Sequence, residues 1–124
     1  MPLTPMDLVA EAKRHIREVN PEEAKALIGK ALVLDVREPA EFTLGALPGA
    51  VNIPRGVLEF KIDSHPTFQN RRDADILVYC QTGGRSALAT EALKKLGYVN
   101  AISLAGGFKL WQESGQAVET PPAS

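Results

Sequence analysis

The chain has 124 residues, 44% of them hydrophobic, with 14 basic against 15 acidic side chains and a net charge of −1. That is enough apolar material for one domain around one core, and the balanced charge gives no sign of nucleic acid or an anionic membrane as a partner. One cysteine and two histidines exclude an internal disulfide and leave no ordinary protein zinc site.

The N-terminus, Met1 to Asp7, has neither a basic n-region nor a continuous apolar run, so no secretion signal is read and a reducing cytoplasm is the expected setting. No stretch reaches the roughly 20 apolar residues of a membrane-spanning helix. An amphipathic helix is predicted over 7–18, with Leu8, Val9, Ala12 and Ile16 on one face, and it is expected to pack on its own domain. A second helix starts at Asn20. Pro21 suits the first helical position, Glu23 completes a capping box, and Gly29 ends the helix.

Apolar runs over 32–36, 50–53, 76–80 and 101–104 read as strands. Helical patterns over 39–44, 55–60 and 86–96 lie between them. Strands apolar along their whole length are buried on both faces, as a parallel sheet requires. The predicted fold is therefore α/β, with a mainly parallel central sheet of four to five strands and helices on both faces. Residues 61–75 lack periodicity and read as a surface loop, and 116–124 reads as a loose tail. The expected organisation is an N-terminal helix extension over 1–18, one domain over 19–115 and the tail over 116–124.

The only cysteine, Cys80, ends the run Ile76-Leu77-Val78-Tyr79 and opens Cys80-Gln81-Thr82-Gly83-Gly84-Arg85-Ser86, which leads into a helix. Gly83 and Gly84 accept backbone angles that turn successive N–H groups into one concavity. The helix start adds its positive end, and Arg85 adds a full charge. All of these favour a thiolate at the carboxyl end of a strand, where open α/β sheets bind ligands. A lone cysteine after an apolar run is also often a small packed hydrophobe, and spacing alone leaves both readings open.

Four segments in order resemble the rhodanese-type sulfurtransferases. They are Leu34-Asp35-Val36-Arg37-Glu38-Pro39-Ala40-Glu41-Phe42, the run from Gly45 to Pro54, the loop from Cys80 to Ser86, and Gly106-Gly107-Phe108-Lys109-Leu110-Trp111. The match covers roughly residues 19–115, and it departs where Ala46 stands in place of the histidine that many members carry. The resemblance implies a rhodanese-like fold and a ping-pong reaction. Cys80 would take sulfur from thiosulfate or a persulfide donor and pass it to cyanide, a thiol or a sulfur-carrier protein, with Gln81, Thr82, Gly83, Gly84, Arg85 and Ser86 holding the persulfide. It implies no metal or organic cofactor. Asp35 and Arg37, at the end of the neighbouring strand, and Arg55, after Ile53-Pro54, are candidate supporting residues. Arg85 is expected to play a mixed role, steering an anionic donor and holding the loop's shape. A protein-to-protein sulfur relay and a catalytically idle binding module are the alternatives. A phosphatase is disfavoured, because four residues separate Cys80 from Arg85 where the related cell-cycle phosphatases have five.

Overall fold

The computed structural model describes residues 2–121. Helix α1 (Pro5–Lys13) is followed by strand β1 (Glu18–Val19), helix α2 (Pro21–Leu27), strand β2 (Leu32–Asp35), helix α3 (Pro39–Leu44) and strand β3 (Val51–Asn52). A 3₁₀ turn (Arg55–Val57), helix α4 (Leu58–Lys61) and a second 3₁₀ turn (Ile62–Ser64) lead to strand β4 (Ile76–Tyr79). Helix α5 (Gly84–Lys95), strand β5 (Ala101–Leu104) and helix α6 (Gly107–Glu113) complete the order. The five strands form one sheet in the order β1-β5-β4-β2-β3, and all their pairings are parallel.

Side chains alternate across a strand, and the core divides accordingly. Leu34, Ile76, Val78 and Cys80 join Leu58, Ile62, Phe68 and Leu93 on the face covered by α4 and α5. Val33, Leu77, Tyr79 and Ile102 join Ala24, Phe108 and Trp111 on the face covered by α2 and α6. Helices on both faces explain why β4 is buried at all four positions.

Asn20 caps α2 as its sequence predicts: its side chain accepts the Glu23 N–H at 2.8 Å, and the Glu23 carboxylate accepts the Asn20 N–H at 3.0 Å. The first helix is shorter than predicted. It ends at Lys13 because Glu18 and Val19 pair with Ser103 and Leu104 as an edge strand, and two residues are too few to carry a sequence pattern. Val9 and Ala12 pack against Ala87 of α5, so α1 lies on its own domain.

The segment 61–75 is not simply a surface loop. It buries Ile62 and Phe68 completely, two anchors too far apart to show a period. Helix α6 was not predicted as a helix. The start of the tail is tied back, since Glu119 and Ala46 exchange main-chain hydrogen bonds at 2.8 and 2.9 Å, and the Trp111 indole donates to the Ala117 carbonyl at 2.8 Å. The end of the predicted tail, 122–124, lies outside the described residues. No helix among the described residues is long and apolar enough to cross a membrane.

Candidate active site

The chain leaves β2 toward β3 at one edge and leaves β4 toward β5 on the other side. The carboxyl ends of β2 and β4 therefore flank the switch point of the sheet, where open α/β folds bind ligands. Cys80 is the first residue beyond β4 and is only 1% exposed. Alternation sends its side chain to the α5 face. It sends Tyr79, with its β2 partner Asp35, to the opposite face.

The turn after Cys80 wraps the sulfur. Gly83 sits at φ +109, left-handed, as the residue before α5, and its N–H donates to Cys80 Sγ at 3.0 Å. The Cys80 thiol donates to Ser86 Oγ at 3.6 Å, and the Ser86 hydroxyl donates to the Gly83 carbonyl at 3.2 Å. Ser86 Oγ also lies 2.9 Å from Ser103 Oγ. Either hydroxyl of that pair can donate to the other. Both serines are fully buried. Gly84, Arg85 and Ser86 open α5, where N–H groups have no acceptor within the helix.

Helix α6 holds the other side of the turn. The Phe108 N–H donates to the Cys80 carbonyl at 2.8 Å and the Lys109 N–H to the Gln81 carbonyl at 3.0 Å. Both peptides are trans, so the N–H groups of Gln81 and Thr82 point away from α6. This close approach requires glycine at 107, at φ +60. A Cβ there would lie 2.6 Å from the Cys80 carbonyl oxygen and from the Gln81 carbonyl carbon and oxygen. Gly107→Ala is expected to lower stability by about 2–4 kcal/mol, from left-handed strain plus overpacking, and to change the rate at which the Cys80 thiol is alkylated by shifting its turn. Gly49→Ala is the control, at φ +76 with nothing within 4 Å of the added carbon; it keeps the alkylation rate. Equal changes in thermal midpoint and alkylation rate for the two variants would contradict the close-approach argument.

Asp35 and Arg37 form a buried pair, 0% and 2% exposed. Arg37 Nη2 donates to Asp35 Oδ2 at 2.7 Å and to the Gly45 carbonyl at 2.6 Å, and Nη1 reaches Gln81 Oε1 at 3.3 Å. The guanidinium also lies over Phe108, 4.4 Å from the ring centre. Burial works most strongly against its charge, but the contacts to Asp35, with Tyr79 nearby, together leave the Arg37 pKa raised. Burial, then the nearby Asp35 charge, pushes the Tyr79 hydroxyl far up, so it stays neutral. The pair thus supports the loop through Gln81, from the face of the sheet opposite the Cys80 sulfur.

Arg85 does not turn in to the sulfur. Its Nη1 and Nη2 donate to the two carboxylate oxygens of Glu41, at 2.7 and 3.0 Å. Arg85 beside Glu41 holds that carboxyl down at about 2. Its folded pKa lies below the unfolded one, so the pair's contribution is present above the ordinary carboxyl range and is lost as pH falls through about 2. Both side chains are about one-third exposed, so the contribution stays below about 1 kcal/mol. The gap in thermal midpoint between wild type and Glu41→Gln is expected to close between about pH 5 and about pH 2; a gap independent of pH would refute this.

Arg55, a candidate for the mouth of the site, goes elsewhere. It pairs with Glu59 at 2.9 Å and lines a cleft with Leu88, Glu91 and Lys95. The side chain at position 55 lies one helical turn from Glu59, and that local pair directs it. Thr82 is exposed at the tip of the turn. His65 bonds the Thr67 N–H and packs on Phe68.

A cleft of about 250 Å³ opens beside the turn, lined by Arg37, Glu41, Leu44, Gly45, Gln81, Phe108 and Gln112. A larger one between α1 and α5 is lined by Glu11, His15, Glu91, Lys94 and Lys95, charged groups remote from the sulfur. Among the described residues no cluster of three His, Cys, Asp or Glu side chains gathers to hold a metal. Sequence reasoning missed Glu41, Ser103 and Gly107 as parts of the site. Ser103 carried a signal, as the one polar side chain in an apolar strand.

The family model described as the rhodanese-like domain matches residues 20–114. The Bacillus subtilis protein YqhL is 37% identical over 99 residues, 80% of this chain and 75% of its own. A human thiosulfate:glutathione sulfurtransferase is 35% identical over 94 residues, 68% of this chain and 82% of its own. A solved structure from Rhodopseudomonas palustris, of unknown function and a possible tyrosine phosphatase, superposes with a TM-score of 0.84 at 32% identity, covering 96% of this chain and 99% of its own.

Proposed function

Because the chain belongs to the rhodanese-like domain family, we propose that it is a sulfurtransferase working through a persulfide on Cys80. The sulfur comes from thiosulfate or a persulfide donor and goes to a thiophilic acceptor, cyanide or a thiol. The observation that carries this reading is the Gly83 N–H aimed at Cys80 Sγ from 3.0 Å, in a turn whose peptides α6 holds in place.

In the first half-reaction the Cys80 thiolate attacks the outer sulfur of thiosulfate. A Cys80–S bond forms, the sulfur–sulfur bond of the donor breaks, and its electron pair leaves on sulfite. In the second, an acceptor thiolate or cyanide attacks the terminal sulfur, and the electron pair returns to Cys80. The donors of the turn stabilise charge on the terminal sulfur as it builds, much as an oxyanion hole does. Four residues between Cys80 and Arg85 make a smaller ring than the related phosphatases use, which suits a single sulfur better than a phosphoryl group.

The test is intact-mass spectrometry before and after treatment with thiosulfate or cysteine persulfide. The expected result is a gain of one sulfur atom that cyanide removes. No gain from either donor would defeat the proposal and favour an idle binding module.

A further inference from the structure

We infer that the site is built for a persulfide donor rather than thiosulfate, and that Glu41 sets this preference. The inference rests on the sulfur-transfer reading and narrows it. Arg85 is the one cation in the turn from Cys80 to Ser86, and both of its terminal nitrogens are taken by the two oxygens of Glu41. The other guanidinium beside the turn, Arg37, is buried and held by Asp35 and the Gly45 carbonyl. Each arginine therefore carries its own carboxylate.

Thiosulfate is a compact dianion, and its sulfonate oxygens call for an unpaired guanidinium or ammonium near the reacting sulfur. Among the described residues, no unpaired cation lines the cleft beside Gln81, and Glu41 stands there with a like charge. Lys109 touches the turn only through its main chain; its side chain is exposed to solvent, where salt screens it. The rest of the cleft wall is the apolar Leu44 and Phe108 with the neutral amides of Gln81 and Gln112. Such a wall fits the carbon next to the sulfurs of R–S–S⁻, whose reacting end carries one charge against the two of thiosulfate; in cysteine persulfide the ammonium and carboxylate farther off cancel. The Cys80 thiolate attacks that terminal sulfur, the sulfur–sulfur bond breaks, and R–S⁻ leaves with the electron pair. Any proton on the terminal sulfur stays with it.

The experiment compares the rate at which Cys80 is loaded by cysteine persulfide and by thiosulfate, read by intact mass, in wild type, Glu41→Gln and Glu41→Asp. Wild type is expected to favour the persulfide by about tenfold or more. Glu41→Gln releases Arg85 and is expected to improve thiosulfate relative to the persulfide by about tenfold, a gain that added salt erases. Glu41→Asp keeps the carboxylate and the wild-type preference. Equal or better loading of wild type from thiosulfate would overturn the inference, as would a Glu41→Gln variant that changes both donors alike. If that variant melts early, the wild-type ratio and its salt dependence decide alone. Loading by neither donor would instead overturn the sulfur-transfer reading itself, and the inference with it.

Discussion

Cys80→Ser is expected to give a folded protein that takes up no sulfur from any donor, with turnover reduced by at least about three orders of magnitude. The chain has no second cysteine, so no other thiol can carry the covalent intermediate. A serine hydroxyl is a far weaker nucleophile, and among the described residues the side chain at position 80 is bonded only by Ser86 and the Gly83 N–H, neither of them a general base. The substitution is gentle on the fold. The new hydroxyl inherits the Gly83 N–H as donor and Ser86 Oγ as acceptor, so no buried polar group is stranded. Thermal melting beside intact-mass loading checks both halves. A Cys80→Ser protein that turns over at a wild-type rate would sink the persulfide mechanism.

The largest loss of stability is expected from Arg37→Met. The methionine fills much of the volume but leaves the Asp35 carboxylate, 0% exposed, without its partner. Breaking a buried pair from one side costs about 3–5 kcal/mol, a large share of the roughly 5–15 kcal/mol that holds such a domain together. Adding Asp35→Asn removes the stranded charge while keeping an oxygen for the Arg37 N–H, which Asp35 accepts at 2.8 Å. The double variant is therefore expected to regain part of the loss, read by denaturant unfolding. A single-variant loss under about 1 kcal/mol, or a double variant worse than the single, would show that the pair does not act as a buried unit.

The parts of the site that were legible in the sequence lie close together in the chain. Cys80, the glycines and Ser86 form one segment, and a strand, a turn and a helix in succession leave a cysteine little freedom in where it points. Asp35 and Arg37 were legible as candidates, but their role was not. Only the pleat puts them on the face away from the sulfur, so that they act through Gln81. Arg85 was read as both steering the donor and shaping the loop; the structure pairs it with Glu41, 44 positions away, a partner that no local pattern announced. Arg55 was drawn off by a partner one helical turn on.

The sequence by itself determined the class of fold and four of the strands, and it singled out Cys80 as the candidate nucleophile, because hydrophobic period, capping residues and a short glycine turn are local signals. It also identified the family, through four segments in order. The tertiary structure alone decided what surrounds the sulfur: Ser103 beneath Ser86, Glu41 across from Arg85, and the first N–H groups of α6 on the Cys80 and Gln81 carbonyls. Those contacts join elements far apart in the chain, and they exist only once a sheet in the order β1-β5-β4-β2-β3 brings the strand ends together. No local propensity encodes such a meeting; it follows from burying both faces of one sheet.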